Sequence, residues 1–177
     1  MISDEYRKMN YALHQARPTY GASGHRWADY VRPFCERHMW DVLDYGCGKG
    51  TLSHALGNSL SEYDPAIPGK DAPPGPRRLV VCTDVLEHIE PEYLDDVLRN
   101  IGECALKEAI LVVATRPANK SLPDGRNAHL ILEDWEWWEW QLAKHFHIES
   151  AENDVTQEGE FVAIRTPRKP LPQPSNE

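Results

Sequence analysis

The chain has 177 residues, a formal net charge of -9 and four cysteines. That length suits one hydrophobic core, and the acidic balance excludes general electrostatic attraction to nucleic acid, leaving only a local basic patch for such a partner. Cys35, Cys47, Cys82 and Cys104 are widely spaced and form no C-x-x-C pair, which argues for free thiols in a reducing compartment and against zinc.

From the N-terminus, Met1 to Trp40 read as helical, with a break near Arg17-Pro18-Thr19-Tyr20-Gly21. Trp27, Tyr30, Val31 and Phe34 recur at helical spacing and predict a face packed on a sheet. The segment Asp41-Val42-Leu43-Asp44-Tyr45-Gly46-Cys47-Gly48-Lys49-Gly50 follows. Its short apolar run suits a buried strand, and the glycines that end it require a sharp turn. Thr51 to Leu56 predicts a helix whose first N–H groups face that turn. Strand, glycine loop and helix start together describe a nucleotide-type pocket.

Ser61-Glu62-Tyr63-Asp64-Pro65 places a second acid at the end of a second strand. Between Asp64 and Leu79 lie five prolines and two glycines, a composition that forms neither a regular helix nor a central strand. Leu79-Val80-Val81-Cys82-Thr83-Asp84-Val85-Leu86-Glu87-His88-Ile89 is an apolar strand running into a loop. Tyr93, Leu94, Val97, Leu98, Ile101 and Ala105 mark a helix, and Ala109 to Ala114 a buried strand. A loop from Thr115 to Arg126 leads to an aromatic helix over Leu132–His145. One of its faces carries Trp135, Trp138, Leu142 and Phe146; the other carries Trp137 and Trp140, a candidate homodimer contact. Phe146–Glu149 and Glu160–Arg165 suit a closing antiparallel pair, and Thr166 to Glu177 reads as a proline-rich flexible tail.

The pattern D-x-G-x-G-x-G over Asp44, Gly46, Gly48 and Gly50 departs from the dinucleotide fingerprint G-x-G-x-x-G. It resembles the first motif of the class I S-adenosylmethionine-dependent methyltransferases. Asp64 stands at the interval that family uses for its ribose-binding acid, and Leu86-Glu87-His88 is similar to its fourth-strand motif. The resemblance covers roughly residues 41–165. It implies an α/β fold: a Rossmann-like sheet with helices on both faces and a closing antiparallel strand pair, here shortened near the third strand. The implied organisation is one domain over residues 1–165, with 1–40 as a helical lid or cap and 41–165 as the catalytic core.

The same resemblance implies S-adenosylmethionine as cofactor, and a cofactor site whose residues can be named. Gly46 and Gly48 would bring bare backbone to its amino-acid part, with Cys47 between them offering main chain. Asp44 would orient the loop or hold the amino group, and Asp64 would hold the ribose, with Pro65 beside it. Thr83, Asp84 and Val85 would flank the sulfonium end, and Tyr20 is a candidate lid residue. The family has no universal catalytic residue, since much of its acceleration comes from positioning. His88 and His129 are candidate bases because imidazole titrates near neutral pH, with a structural role for each as the alternative. No metal site is expected. Motifs of amino-methylating DNA enzymes and of cytosine-C5 enzymes are absent, so a small-molecule or nucleotide-type acceptor methylated on O or N is the expectation. An RNA or protein acceptor and a non-catalytic scaffold are the alternatives. Neither a signal peptide nor a bilayer-length apolar stretch is visible, so a cytoplasmic protein is expected.

Overall fold

Successive side chains of the central strands point to opposite faces of one sheet, and both faces are buried. The computed structural model describes residues 2–57, 60–154 and 160–167. Its strands are β1 (Val42–Tyr45), β2 (Ser61–Tyr63), β3 (Arg77–Thr83), β4 (Ala105–Ala114), β5 (Phe146–Asp154) and β6 (Glu160–Pro167). Their order across the sheet is β2-β1-β3-β4-β6-β5. The first three pairings are parallel, and β6 lies antiparallel between β4 and β5. Val80, Cys82, Ala109, Leu111 and Val113 face α4 (Leu94–Cys104) and α5 (Trp135–Ala143) in one core layer. Leu79, Val81, Ile110 and Val112 face α2 (Ala28–Arg37) and α3 (Thr51–Leu56) in the other. A parallel sheet buried on both faces needs apolar residues at successive positions, as β3 and β4 have.

The first helix, α1 (Asp4–Ala16), belongs to neither layer. Ser3 caps it by accepting from the Tyr6 N–H (3.1 Å) and donates from its own hydroxyl and N–H to the Glu90 carboxylate (2.6 and 2.8 Å). The Tyr6 hydroxyl donates to the His88 carbonyl. Tyr6 and Leu13 pack with Tyr20, Leu122 and Ala128 in a third apolar cluster. The helix thus spans the loops at the carboxyl ends of the strands, where open α/β sheets form their binding crevices.

Several expected boundaries move. The proline-rich stretch from Pro65 to Pro76 contains no strand, so β2 is an edge of the sheet. The stretch folds back on itself instead: Asp64 N–H donates to the Lys70 carbonyl (2.9 Å), and Lys70 Nζ pairs with Glu62 (2.8 Å). The strand expected to stop at Arg165 continues through Thr166 and Pro167, which pair with His147 and Phe146. The remainder of the expected tail lies outside the described residues.

The aromatic helix is shorter than its composition suggests, starting at an Asp134 side-chain cap that accepts from the Trp137 N–H (2.9 Å). Trp138 is 0% exposed in the core, as its stripe requires. Trp137 does not join Trp140 on an exposed face: it packs against the core, edge-on to Trp138 at 5.1 Å. Trp140 alone is exposed, at 60%, under the Lys144 ammonium. The side chain of Trp137 therefore leaves the contact surface that helical spacing assigned to it. Replacing Trp138 with Ala is expected to cost about 3–5 kcal/mol in urea unfolding, whereas Trp140→Ala is expected to change stability by less than about 0.5 kcal/mol.

Candidate active site

A cavity of about 280 Å³ opens between the carboxyl ends of the strands and α1. Its wall includes Gly46, Gly48, Asp64, Pro65, Asp84, Val85, His88, His129 and Tyr20. The fold brings these residues together from loops that are distant in sequence. Asp44, Cys47 and Thr83 are buried but do not line the cavity, so any part they play is through the residues in front of them.

The glycine loop is shaped by what lies against it. Gly46 has φ +77°, and a Cβ there would stand 2.4 Å from Val85 Cγ2. Gly48 has φ +51°, and a Cβ there would stand 2.3 Å from the Gly21 carbonyl oxygen. Only glycine tolerates both the left-handed backbone and such approach. Gly46 and Cys47 N–H groups donate to the Tyr63 carbonyl (2.7 and 3.0 Å), and the Lys49 N–H donates to Gly21 (2.8 Å). The segment around Gly21 is thereby clamped onto the loop, and Lys49 Nζ reinforces it by donating to the Arg17 and Pro18 carbonyls (both 2.8 Å).

Asp64 joins the loop to the end of β2. One carboxylate oxygen accepts from the Gly48 N–H (3.1 Å) and the other from the Ala66 N–H (2.9 Å). A carboxylate has about four acceptor positions, so each oxygen keeps capacity toward the cavity. Asp44 sits behind the loop with Oδ2 buried and lacking a hydrogen-bond partner among the described residues. Burial, with help from Glu62 and Asp64 against Lys70, pushes its carboxyl up to about 7.

Tyr20 closes the cavity without pointing its hydroxyl into it. The hydroxyl donates to Asn10 Oδ1 on α1 (2.5 Å), and the ring stands edge-on to His14 and His88. His14, a lining residue that the sequence reading passed over, is held below its ordinary value by burial, with Asp64 opposing. Lys70 was also missed. It donates to the Gly48 carbonyl (3.3 Å), and nothing in a proline-rich run signals that its chain doubles back.

The wall also carries two histidines, His88 and His129, whose rings meet edge-to-face at 4.7 Å. His88 sits on the single turn Leu86–His88 after β3, and its Nδ1 lies 2.7 Å from the Ala128 carbonyl. His129 Nδ1 lies 2.5 Å from the Arg116 carbonyl. A carbonyl only accepts, so both rings carry their proton on Nδ1 and leave Nε2 as the acceptor. Burial first, then His129, pushes His88 down to about 3, and burial lowers His129 as well. Asp84 precedes them at φ +55°, a strained conformation for a residue with a side chain.

A family described as methyltransferase domain matches residues 12–153. No curated protein matches the sequence. Among solved structures, a protein from Pyrococcus horikoshii OT3 is similar with a TM-score of 0.63 at 14% identity, over 89% of this chain and 99% of its own. Magnesium protoporphyrin IX methyltransferase from Synechocystis PCC 6803, with bound SAH, gives 0.58 at 18% identity, over 81% and 83%. Burkholderia thailandensis 1,6-didemethyltoxoflavin-N1-methyltransferase, with bound 1,6-didemethyltoxoflavin and S-adenosylhomocysteine, gives 0.56 at 16% identity, over 84% and 80%.

The site makes stability pH-dependent through Asp44. Its folded value of about 7 exceeds the ordinary 3.8, so between those limits the folded chain holds a proton that the unfolded chain releases. Stability from this group is fully present below pH 3.8 and falls as pH rises toward 7, by at most about 1.4 kcal/mol per pH unit. Chemical unfolding at several pH values should show that fall in the parent and a flatter profile in Asp44→Asn.

Proposed function

The chain belongs to the methyltransferase-domain family, and on that premise we propose that it transfers a methyl group from S-adenosylmethionine to an oxygen or nitrogen of a small-molecule or nucleotide-type acceptor. The observation that carries this reading is the Asp64 carboxylate, anchored by Gly48 and Ala66 with acceptor capacity left over, on the wall of a cavity that two imidazoles also line. The cofactor, when bound, supplies a sulfonium methyl open to in-line attack.

The residues fit that cofactor. Asp64 takes the ribose hydroxyls, with Pro65 and Ala66 forming the floor beside it. Gly46 and Gly48 admit the amino-acid part along bare backbone. Asp84 and Val85 border the methyl-donor end, and Val85 is held against Gly46 by the packing described above. Asp44, Cys47 and Thr83 support these contacts from behind. Tyr20 and α1 exclude water over the reacting centre, so the cap is α1 with the segment to Gly21, while α2 belongs to the sheet's own core layer in a single domain that runs through residue 165.

At the acceptor end, His88 holds its proton too weakly to serve as a general base near neutral pH. Each imidazole instead presents an Nε2 lone pair that orients an acceptor hydroxyl or amine toward the methyl group, so rate enhancement comes from positioning. The cavity suits a compact acceptor, and two of the similar structures are named for methylation of small molecules. The four cysteines are free and buried, and no described helix is long and apolar enough to cross a membrane; a cytoplasmic location is in keeping with both.

Calorimetric titration with S-adenosylhomocysteine tests the cofactor reading. One equivalent is expected to bind, and Asp64→Ala is expected to weaken binding by at least about tenfold through loss of charged hydrogen bonds. Failure of the parent to bind would overturn the cofactor; undiminished binding by the variant would overturn the ribose assignment.

A further inference from the structure

We propose that Glu87, His88 and His129 form a binding site for a divalent first-row transition cation at the acceptor end of the cavity. One ligand atom from each of the three side chains can be chosen so that all lie within 4.8 Å of one another. Two imidazoles and a carboxylate are a donor set that suits zinc, manganese, iron or cobalt, and three protein ligands leave coordination positions open.

The orientation of the rings is the second observation. A metal-bound histidine characteristically donates its other ring N–H to a carbonyl or carboxylate, which fixes the tautomer and directs the remaining lone pair at the ion. His88 and His129 both have this arrangement, through Ala128 and Arg116 respectively. The carbonyls that hold them come from the loop after β4, and the backbone carbonyl of Glu87 in turn accepts from Leu130 (2.7 Å) and Ile131 (3.1 Å) N–H groups. The loop and the turn after β3 therefore hold the three ligands in register before any ion arrives.

Asp84 adds a third observation. Its Oδ1 is buried without a hydrogen-bond partner among the described residues, its backbone is held at φ +55°, and it lines the same cavity. A cation held by the three side chains relieves that buried carboxylate electrostatically. Arg116 and Lys120 also line the cavity, and with Asp84 and Glu87 they make its formal charge balanced rather than strongly cationic. The cation site stands on this geometry alone. Its use, to hold an oxygen of the acceptor in an open coordination position, rests on the methyl-transfer reading above.

The test takes the full chain, stripped of metal with a chelator, and titrates it separately with Mn2+, Co2+ and Zn2+ in a calorimeter. At least one of these is expected to bind with one-to-one stoichiometry. Binding is expected to weaken at least about tenfold in both His129→Ala and Glu87→Gln, and to be unchanged in His145→Ala. Because a core variant can misfold, the imidazole nitrogens of the unmutated chain are followed by NMR as Zn2+ is added. The Nε2 signals of His88 and His129 should shift together while both Nδ1 atoms remain protonated. Absence of binding by all three cations, or binding that leaves those two signals unmoved, overturns the site. Cation binding that survives in Asp64→Ala after S-adenosylhomocysteine binding is lost would separate this proposal from the cofactor reading.

Discussion

Two bare α-carbons, at Gly46 and Gly48, set the distance between the parts of the molecule that must meet. Val85 occupies the space a side chain on Gly46 would fill, and the Gly21 carbonyl occupies the corresponding space at Gly48. Through the first contact the loop after β1 sits against the loop after β3; through the second it sits against the segment that caps the cavity. Adding one methyl group at either position would push these elements apart, because the nearest atoms are backbone or branched side chain with no freedom to retreat. The loop amides from Gly46 to Gly50 are all engaged within the protein: with Tyr63, Asp64, Gly21 and Cys47. A pyrophosphate held on bare N–H groups, as in dinucleotide sites, therefore has no donors to meet in this loop. The glycines serve close packing, and the charged recognition element is the carboxylate of Asp64.

The cavity is asymmetric in its chemistry, and that asymmetry follows from where the chain is tied down. At the Asp64 end a carboxylate is partly satisfied by backbone donors and keeps acceptor capacity. At His88 and His129 two rings are held through Nδ1 by the Ala128 and Arg116 carbonyls, which leaves each Nε2 as an acceptor. Tyr20 also lines the cavity, its hydroxyl being used by Asn10. The cap is not a loose appendage: Ser3 and Tyr6 fasten α1 to Glu90 and to the His88 carbonyl, beside the very turn that carries the acceptor-end imidazole. α1 and the turn that carries His88 are in this way joined by direct hydrogen bonds.

The proline-rich stretch shows how a sheet is shortened without losing its site. Strand β2 becomes an edge, and an exposed edge with unpaired amides invites association. Here the edge strand is only three residues long, and the chain after it turns back at once through Asp64, Ile67 and Lys70. Lys70 then bridges Glu62 and the Gly48 carbonyl, so the segment that replaces a strand also supports the glycine loop.

Much of this was legible in order along the chain. Apolar runs bounded by glycine and proline marked β1, β3 and β4, and three-and-four spacing marked α4, because those patterns report which side chains leave water. The loop glycines were legible for a local reason, since few residues tolerate so tight a turn, and Asp64 because it stands at the interval that the resembled family uses for its ribose-binding acid. The sequence alone therefore determined the α/β class, the place of the cavity at the strand ends and the acid that stands there. It did not disclose that Trp137 turns inward beside Trp138, since a helical wheel knows the period of a helix but not the shape of its neighbours. Nor did it disclose that the amides of the glycine loop are consumed internally, or that Glu87, His88 and His129 converge. Tertiary structure alone decided these, because each depends on distances between segments remote in the chain, and such distances are fixed by packing rather than by any local pattern.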